Sequence, residues 1–188
     1  MKIKPLLFVL LSAILQSCMY DATETFANKD IDAPVRKTIA AKNDSLIEAL
    51  VTSNNKIFKA LGSEDFVKHL QAELGEVIWG FRKGYVEEKY TIYDEFHNKH
   101  DKAPNNSVIN SSTHNYTFTF QNDHNETYVS LLRVTSLNQT DDYLLTVIYS
   151  LIDNQWKLDH LSVGSLGMYG KSMPEYFELA KQLSLIHI

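Results

Sequence analysis

Tyr143-Leu144-Leu145-Thr146-Val147-Ile148-Tyr149-Ser150-Leu151-Ile152-Asp153-Asn154-Gln155-Trp156-Lys157-Leu158-Asp159-His160-Leu161 is the stretch that decides the fold of this chain. Two runs rich in β-branched and aromatic residues flank the polar break Asp153-Asn154-Gln155, which reads as two strands joined by a short turn. In the first run one parity carries Tyr143, Leu145, Val147, Tyr149 and Leu151, and the other still carries Leu144, Ile148 and Ile152. A strand apolar on both faces is expected to be central and covered on both sides.

Outward from this pair the period of two persists. Tyr128 to Leu137 is β-branched and aromatic, Thr113 to Gln121 sets Tyr116, Phe118 and Phe120 against Thr117 and Thr119, and Tyr85 to His97 is rich in Tyr, Ile and Phe. Trp156 to Val163 closes the strand series. The breaks are turn-like: Asp101 to Asn110 holds Pro104 and three asparagines, Gln121 to Asn125 is Asn- and Asp-rich, and Asn138 to Asp142 is polar. Short links between strands of similar length predict an antiparallel meander.

Before Gly84 the period is helical. Ile39, Leu46, Ile47, Leu50, Val51, Ile57, Phe58 and Leu61 recur at spacings of three, four and seven, the stripe of a helix or helix pair that starts near Val35. Asn43-Asp44-Ser45 offers a cap inside that stripe. Gly62-Ser63 ends it, and Ser63 is placed to cap a second helix carrying Phe66, Val67, Leu70 and Leu74 before Gly75. At the other end, Gly164, Gly167 and Gly170 loosen the chain, and Ser172-Met173-Pro174-Glu175 opens a further helix with a cap, a first-turn proline and a capping-box glutamate. The expected fold class is therefore α+β: N-terminal helices packed on a curved antiparallel β-meander over residues 35–165, then the start of a C-terminal helical segment over 166–182.

This order of elements, with the closing hairpin whose last strand begins Trp156-Lys157-Leu158, resembles the NTF2-like and cystatin-like cone fold over roughly Asn43 to Val163. The resemblance implies a sheet that wraps around helices and leaves an apolar pocket. Ketosteroid-isomerase-like members place an aspartate and a tyrosine there, one to move a proton and the other to polarise a carbonyl. Tyr90, Asp94, Tyr116 and Asp159 are the residues of those types taken as pocket candidates, with Tyr93 a further tyrosine in reach. No motif assigns any of them as catalytic. The plainer reading, which the pattern favours, makes the tyrosines strand aromatics with a wet hydroxyl and the two aspartates solvated. Asp159 and His160 are adjacent on a strand, so they point to opposite faces unless a bulge intervenes.

The first eighteen residues read as an export signal. Lys2 and Lys4 precede an apolar run from Leu6 to Leu15, then Gln16, Ser17 and Cys18, the only cysteine of the chain. The run is about ten positions long, whereas a membrane span needs roughly 20. Leu15-Gln16-Ser17-Cys18 resembles the processing site of Gram-negative lipoproteins, which implies a signal peptide over 1–17, cleavage before Cys18, and lipidation there with enough acyl chains for stable anchoring. Met19, where such proteins carry an aspartate when held in the inner membrane, implies the outer membrane. Residues 18–34 are polar and aperiodic and read as a tether. The last six residues, Leu183 to Ile188, resemble the translated end of a sequencing adapter, so 183–188 are expected to be foreign and the native chain to continue past Gln182.

Composition narrows the partners. A formal charge of −5 with no lysine or arginine cluster speaks against nucleic acid. With Cys18 lipidated, no thiol is left for disulfides or zinc–thiolate chemistry. In Asp94-Glu95-Phe96-His97-Asn98-Lys99-His100-Asp101 two imidazoles stand three apart among carboxylates, but alternation at a strand end scatters them, and a solvated loop is the favoured reading. No cofactor and no metal are expected. The functional expectation is a lipid-anchored, non-enzymatic binding or scaffold domain of the cell envelope, its sheet face taking an apolar ligand, a partner protein or a second copy of itself as a homodimer. The alternative is a small-molecule enzyme of isomerase or hydratase type working in the cone pocket.

Overall fold

The structure, a computed structural model, describes residues 23–69, 75, 78, 81, 89–135, 141–168 and 171–186. Cys18 with its leader, and Leu70, Leu74, Tyr85, Leu137 and His187, lie outside the described residues. The elements run β1 (Thr23–Ala27), a 3-10 turn (Asn28–Asp30), α1 (Ala33–Thr52), α2 (Asn55–Leu61), β2 (Thr91–His100), β3 (Asn105–Asn110), β4 (Thr117–Asn122), β5 (Glu126–Thr135), β6 (Asp141–Ile152), β7 (Gln155–Met168), β8 (Lys171–Ser172) and α3 (Met173–Ile186). Residues 64–69 are also helical. The class is α+β with antiparallel sheets.

The deciding hairpin forms as its sequence demands. Asp153 and Asn154 both take left-handed φ values, 49° and 60°, and Ile152 pairs with Gln155, so the turn has two residues and matches the twist of its strands. The main sheet runs β1-β2-β5-β6-β7-β8. On one face of β6, Leu145, Val147 and Tyr149 pack with Leu46, Leu50, Phe58 and Leu158; on the other, Ile148 and Leu144 pack with Phe96, Val129 and Ile109. Both faces of the central strand are covered.

The cover on the second face corrects the expected continuous meander. β3 and β4 leave the main sheet and pair only with each other, while β2 pairs directly with β5. Their apolar side chains, Ile109, Phe118 and Phe120, join the cluster around Val129 and Ile148. Burying that second apolar face is the physical reason for the excursion. β3 itself lies inside Asp101 to Asn110, expected as a turn. The face on which an apolar ligand or a second copy was expected to dock is thus occupied in good part by the hairpin.

α1 is one unbroken helix through Asn43-Asp44-Ser45, so no helix starts there. Pro34 sits in its first turn, and Ile39, Leu46, Ile47 and Leu50 form the buried stripe with Asn43 among them. Ser53, at φ 53°, ends it, and Asn54 caps α2 by accepting from Lys56 N–H. Ser63 caps the next helical stretch, its Oγ accepting from Phe66 N–H at 3.0 Å. Gly62 is needed for close approach rather than for its dihedrals: a Cβ there would lie 2.8 Å from Phe66 Cδ1 and 2.9 Å from Val67 Cγ2.

The stretch expected as a tether is partly built into the sheet. Thr23 to Ala27 pair with β2 from His100 to Phe96, and Ile31 is buried. Backbone hydrogen bonding along an exposed edge holds this strand, and that leaves little hydrophobic period to read. α3 runs through Leu183 to Ile186, which extends the helix beyond Gln182. Among the described residues no helix is long and apolar enough to cross a membrane.

Candidate functional site

The strand expected to end in a solvated loop continues to His100 and is buried on both faces. Asp94, Glu95, His97, Asn98 and His100 are all buried. Alternation sends Glu95 and His97 toward the helices and Asp94 and His100 toward the hairpin. His97 Nε2 lies 2.7 Å from Glu126 Oε1, with the Trp156 ring edge-on at 5.6 Å. His100 Nδ1 meets Thr23 Oγ1 at 3.0 Å, and its Nε2 accepts from Asn122 Nδ2 at 2.8 Å. The two imidazoles therefore serve different layers, and among the described residues no group of three or more His, Cys, Asp or Glu is arranged to hold a metal ion.

Asp94 is fully buried rather than solvated. Its Oδ1 accepts from Asn28 Nδ2 at 2.9 Å, and its Oδ2 from Ser111 Oγ and Tyr116 Oη, both at 2.7 Å. Asn28, held in the left-handed region at φ 50°, also accepts the Glu95 N–H through Oδ1. The carboxylate thus ties β2 to the 3-10 turn and to the loop before β4. Burial, and then the Asp94 contact, push the Tyr116 hydroxyl far above its ordinary pKa, so it stays a donor. Next to it Tyr93, the bulged residue of β2, stacks on His114 at 3.9 Å.

The four pocket candidates occupy three places. Asp94 and Tyr116 meet under the hairpin. Tyr90 lies on the helix side, where its hydroxyl donates to Asp44 Oδ1 at 2.8 Å; burial and then that carboxylate raise its pKa. Asp159 lies in β7, accepting from Ser63 Oγ through Oδ1 and from Ser150 Oγ through Oδ2, each at 2.9 Å. It therefore anchors the cap of residues 64–69 to the sheet, as does Ser63 N–H on the Leu158 carbonyl at 2.8 Å.

Asp159 is also the residue at which β7 bulges. Ile148 pairs with His160 and Tyr149 with Leu158, which leaves Asp159 without a partner across β6. The extra residue moves the inward set from Trp156 and Leu158 to Leu161 and Val163. As a result both Asp159 and His160 line one open cleft of about 640 Å³.

That cleft lies between the helical stretch 64–69, the β3–β4 hairpin and the main sheet. The helical stretch gives Asp65, Phe66 and His69; β4 and its turn give Phe118, Phe120, Asp123 and His124; β6 and β7 give Ile148 and Leu161. Phe118 and Phe120 stack at 5.2 Å along one side. His69 Nδ1 is 2.8 Å from the Asp65 carbonyl, an acceptor, so Nδ1 carries the proton. The Asp65 carboxyl is held below its ordinary pKa by Lys68 at 2.9 Å, with His69 and His124 contributing. His69 and Asp65 carried no signal in the sequence, because their partners across the cleft are remote in the chain. The broken alternation from Leu158 to Leu161 was the one local sign of the bulge.

Comparison with known proteins finds no matching family model, no matching curated protein and no matching solved structure.

Proposed function

We propose that this chain is a lipid-anchored binding module of the bacterial cell envelope, acylated at Cys18, held at the outer membrane, and built on an NTF2-like cone domain whose ligand is a small molecule with an apolar body. The observation that carries the binding reading is the cleft of about 640 Å³, a volume ordinary for small-molecule sites, walled by the stacked rings of Phe118 and Phe120. Support for the cone kinship comes from helices that precede the strands from β2 onward, and from bulges at β2 and β7, the device that curves a sheet. Support for the anchor is the Leu15-Gln16-Ser17-Cys18 sequence, with Met19 favouring the outer membrane.

A consequence follows from β1. Because the sheet begins at Thr23, an acyl group on Cys18 sits no more than about 18 Å of chain away from it. The domain then lies against the headgroups rather than at the end of a long leash.

An isomerase or hydratase needs a carboxylate free to exchange a proton beside a polarised carbonyl. Asp94 spends both oxygens on three protein donors, and the Tyr116 hydroxyl points at that same carboxylate. Asp159 is likewise engaged by two serines. These bonds favour binding over proton transfer.

The test has two arms. Alkyne-palmitate labelling in a Gram-negative host is expected to mark the wild type and not Cys18→Ser, and label on the variant would overturn the anchor. Native mass spectrometry of the envelope-purified protein is expected to show a retained small molecule that Phe118→Ser/Phe120→Ser loses. Equal retention by that double variant would overturn the assignment of the cleft.

A further inference from the structure

We propose that the cleft selects organic cations: molecules with an aryl or alkyl body that end in a primary or secondary ammonium. This rests on the reading of the cleft as a small-molecule site and adds the charge of its ligand. Asp65, Asp123 and Asp159 line the cleft, and among the described residues no lysine or arginine does. Lys68 lies on the Asp65 carboxylate, and Asp159 holds two hydroxyls. Asp123 is different, since it accepts only a long 3.3 Å bond from its neighbour Gln121. It is the carboxylate free to meet an incoming N–H donor.

Two further features fit the same ligand. An aromatic face attracts a cation through its quadrupole, and Phe118 and Phe120 present two stacked rings, each partly exposed, on the strand that leads to Asp123. The proton of His69 is on Nδ1, where the Asp65 carbonyl holds it, so in the neutral ring Nε2 is a lone-pair acceptor. Ile148 and Leu161 give the floor on which the apolar body rests. An anionic ligand would meet three carboxylates, with the imidazoles of His69, His124 and His160 as the basic groups of the described lining and no lysine or arginine among them.

The experiment uses the full acylated chain in phosphatidylcholine nanodiscs, with empty discs as the blank. Equilibrium dialysis compares three probes of nearly equal shape: phenethylammonium, phenethyl alcohol and 3-phenylpropionate. The ammonium is expected to bind about tenfold more tightly than the carboxylate, with the alcohol between, and the preference to shrink as salt is raised. Asp123 is exposed, so Asp123→Asn leaves the fold intact and is expected to weaken the ammonium about threefold while sparing the alcohol. Asp101→Asn, outside the cleft, is expected to change nothing. If the alcohol or the carboxylate binds as tightly as the ammonium, or if Asp123→Asn leaves the preference unaltered, cation selection is wrong while the binding reading stands. If none of the three probes is retained, both fall.

Discussion

Removing the Tyr116 hydroxyl is the sharpest probe of what Asp94 does. Tyr116→Phe deletes one of three donors to a buried carboxylate and leaves Asn28 and Ser111 in place. Hydrogen bonds to charged groups contribute about 1.5–3 kcal/mol each, so a loss of about 2 kcal/mol is expected. For a chain of this size that corresponds to a drop in Tm of roughly 4–8 °C. Asp94→Ala is harsher, because it orphans all three donors at once; about 4 kcal/mol or more is expected, a large share of a typical stability. Asp94→Asn should fall between them, since its amide nitrogen cannot accept from the hydroxyls it faces.

The assay is urea unfolding followed by tryptophan fluorescence in a Cys18→Ser background, paired with amide hydrogen exchange. If Asp94 is an anchor, exchange in Tyr116→Phe rises first in the loop 111–116 and in β3–β4, which that loop joins. A change below about 0.5 kcal/mol with unaltered exchange in the hairpin would refute the reasoning. The carboxylate would then be free of a structural duty, and the isomerase reading would regain its strongest residue pair.

Three other perturbations test separate parts of the fold. Gly62→Ala places a Cβ within 3 Å of Phe66 and Val67 and is expected to cost about 1–3 kcal/mol in urea unfolding, the usual range for overpacking. Tyr149→Phe removes the donor to buried Asn43 Oδ1 and should cost about 1 kcal/mol; Asn43→Ala, which also abandons Ser130, should cost more, and the double variant should show less than the sum. Burial raises the Glu95 carboxyl above its ordinary 4.5, with Tyr128 and Arg36 opposing. The native state thus keeps a proton that the unfolded chain has released, so this group's contribution to stability falls as pH rises from 4.5 through its raised folded value. Glu95→Gln is expected to flatten that slope and raise stability at neutral pH in a pH series of unfolding curves. A steeper slope would contradict it. The ion pair with half-exposed Arg36, at 3.4 Å, adds little to the balance.

How far the chain could be read before its structure depends on the range of each interaction. The β6–β7 hairpin was legible because its turn, its two strands and the two-sided apolar pattern are local properties. α1 was legible in its stripe, yet Asn43-Asp44-Ser45 read as a cap because cap residues are recognised by type, whereas Asn43 lies on the buried face and bonds Tyr149 and Ser130 across the core. Local chemistry cannot show a partner 106 residues away. Thr23–Ala27 was missed for a related reason, since an edge strand is held by backbone bonds that any polar sequence can make.

The departure of β3–β4 had the widest consequence. Phe118 and Phe120 marked a strand correctly, but alternation alone does not say which sheet a strand joins. By folding over the main sheet, the hairpin buries Asp94 and His100 beneath it and its own Ile109 against the sheet, which turns a polar strand end into the middle of a second core layer. Residue type had pointed to Asp94 and Tyr116 as pocket chemistry, and the two do meet, at 2.7 Å, but with the hydroxyl spent on the carboxylate rather than turned toward a substrate carbonyl. What separates a catalytic pair from an anchor is the bonding of the carboxylate's remaining lone pairs, which only the packed structure displays. The same fold-over leaves the cleft at the hairpin's far flank, where the β7 bulge sets Asp159 and His160 on one side. Burying the acid and opening the cleft are thus two effects of one chain excursion, and shifting the hairpin should disturb both together.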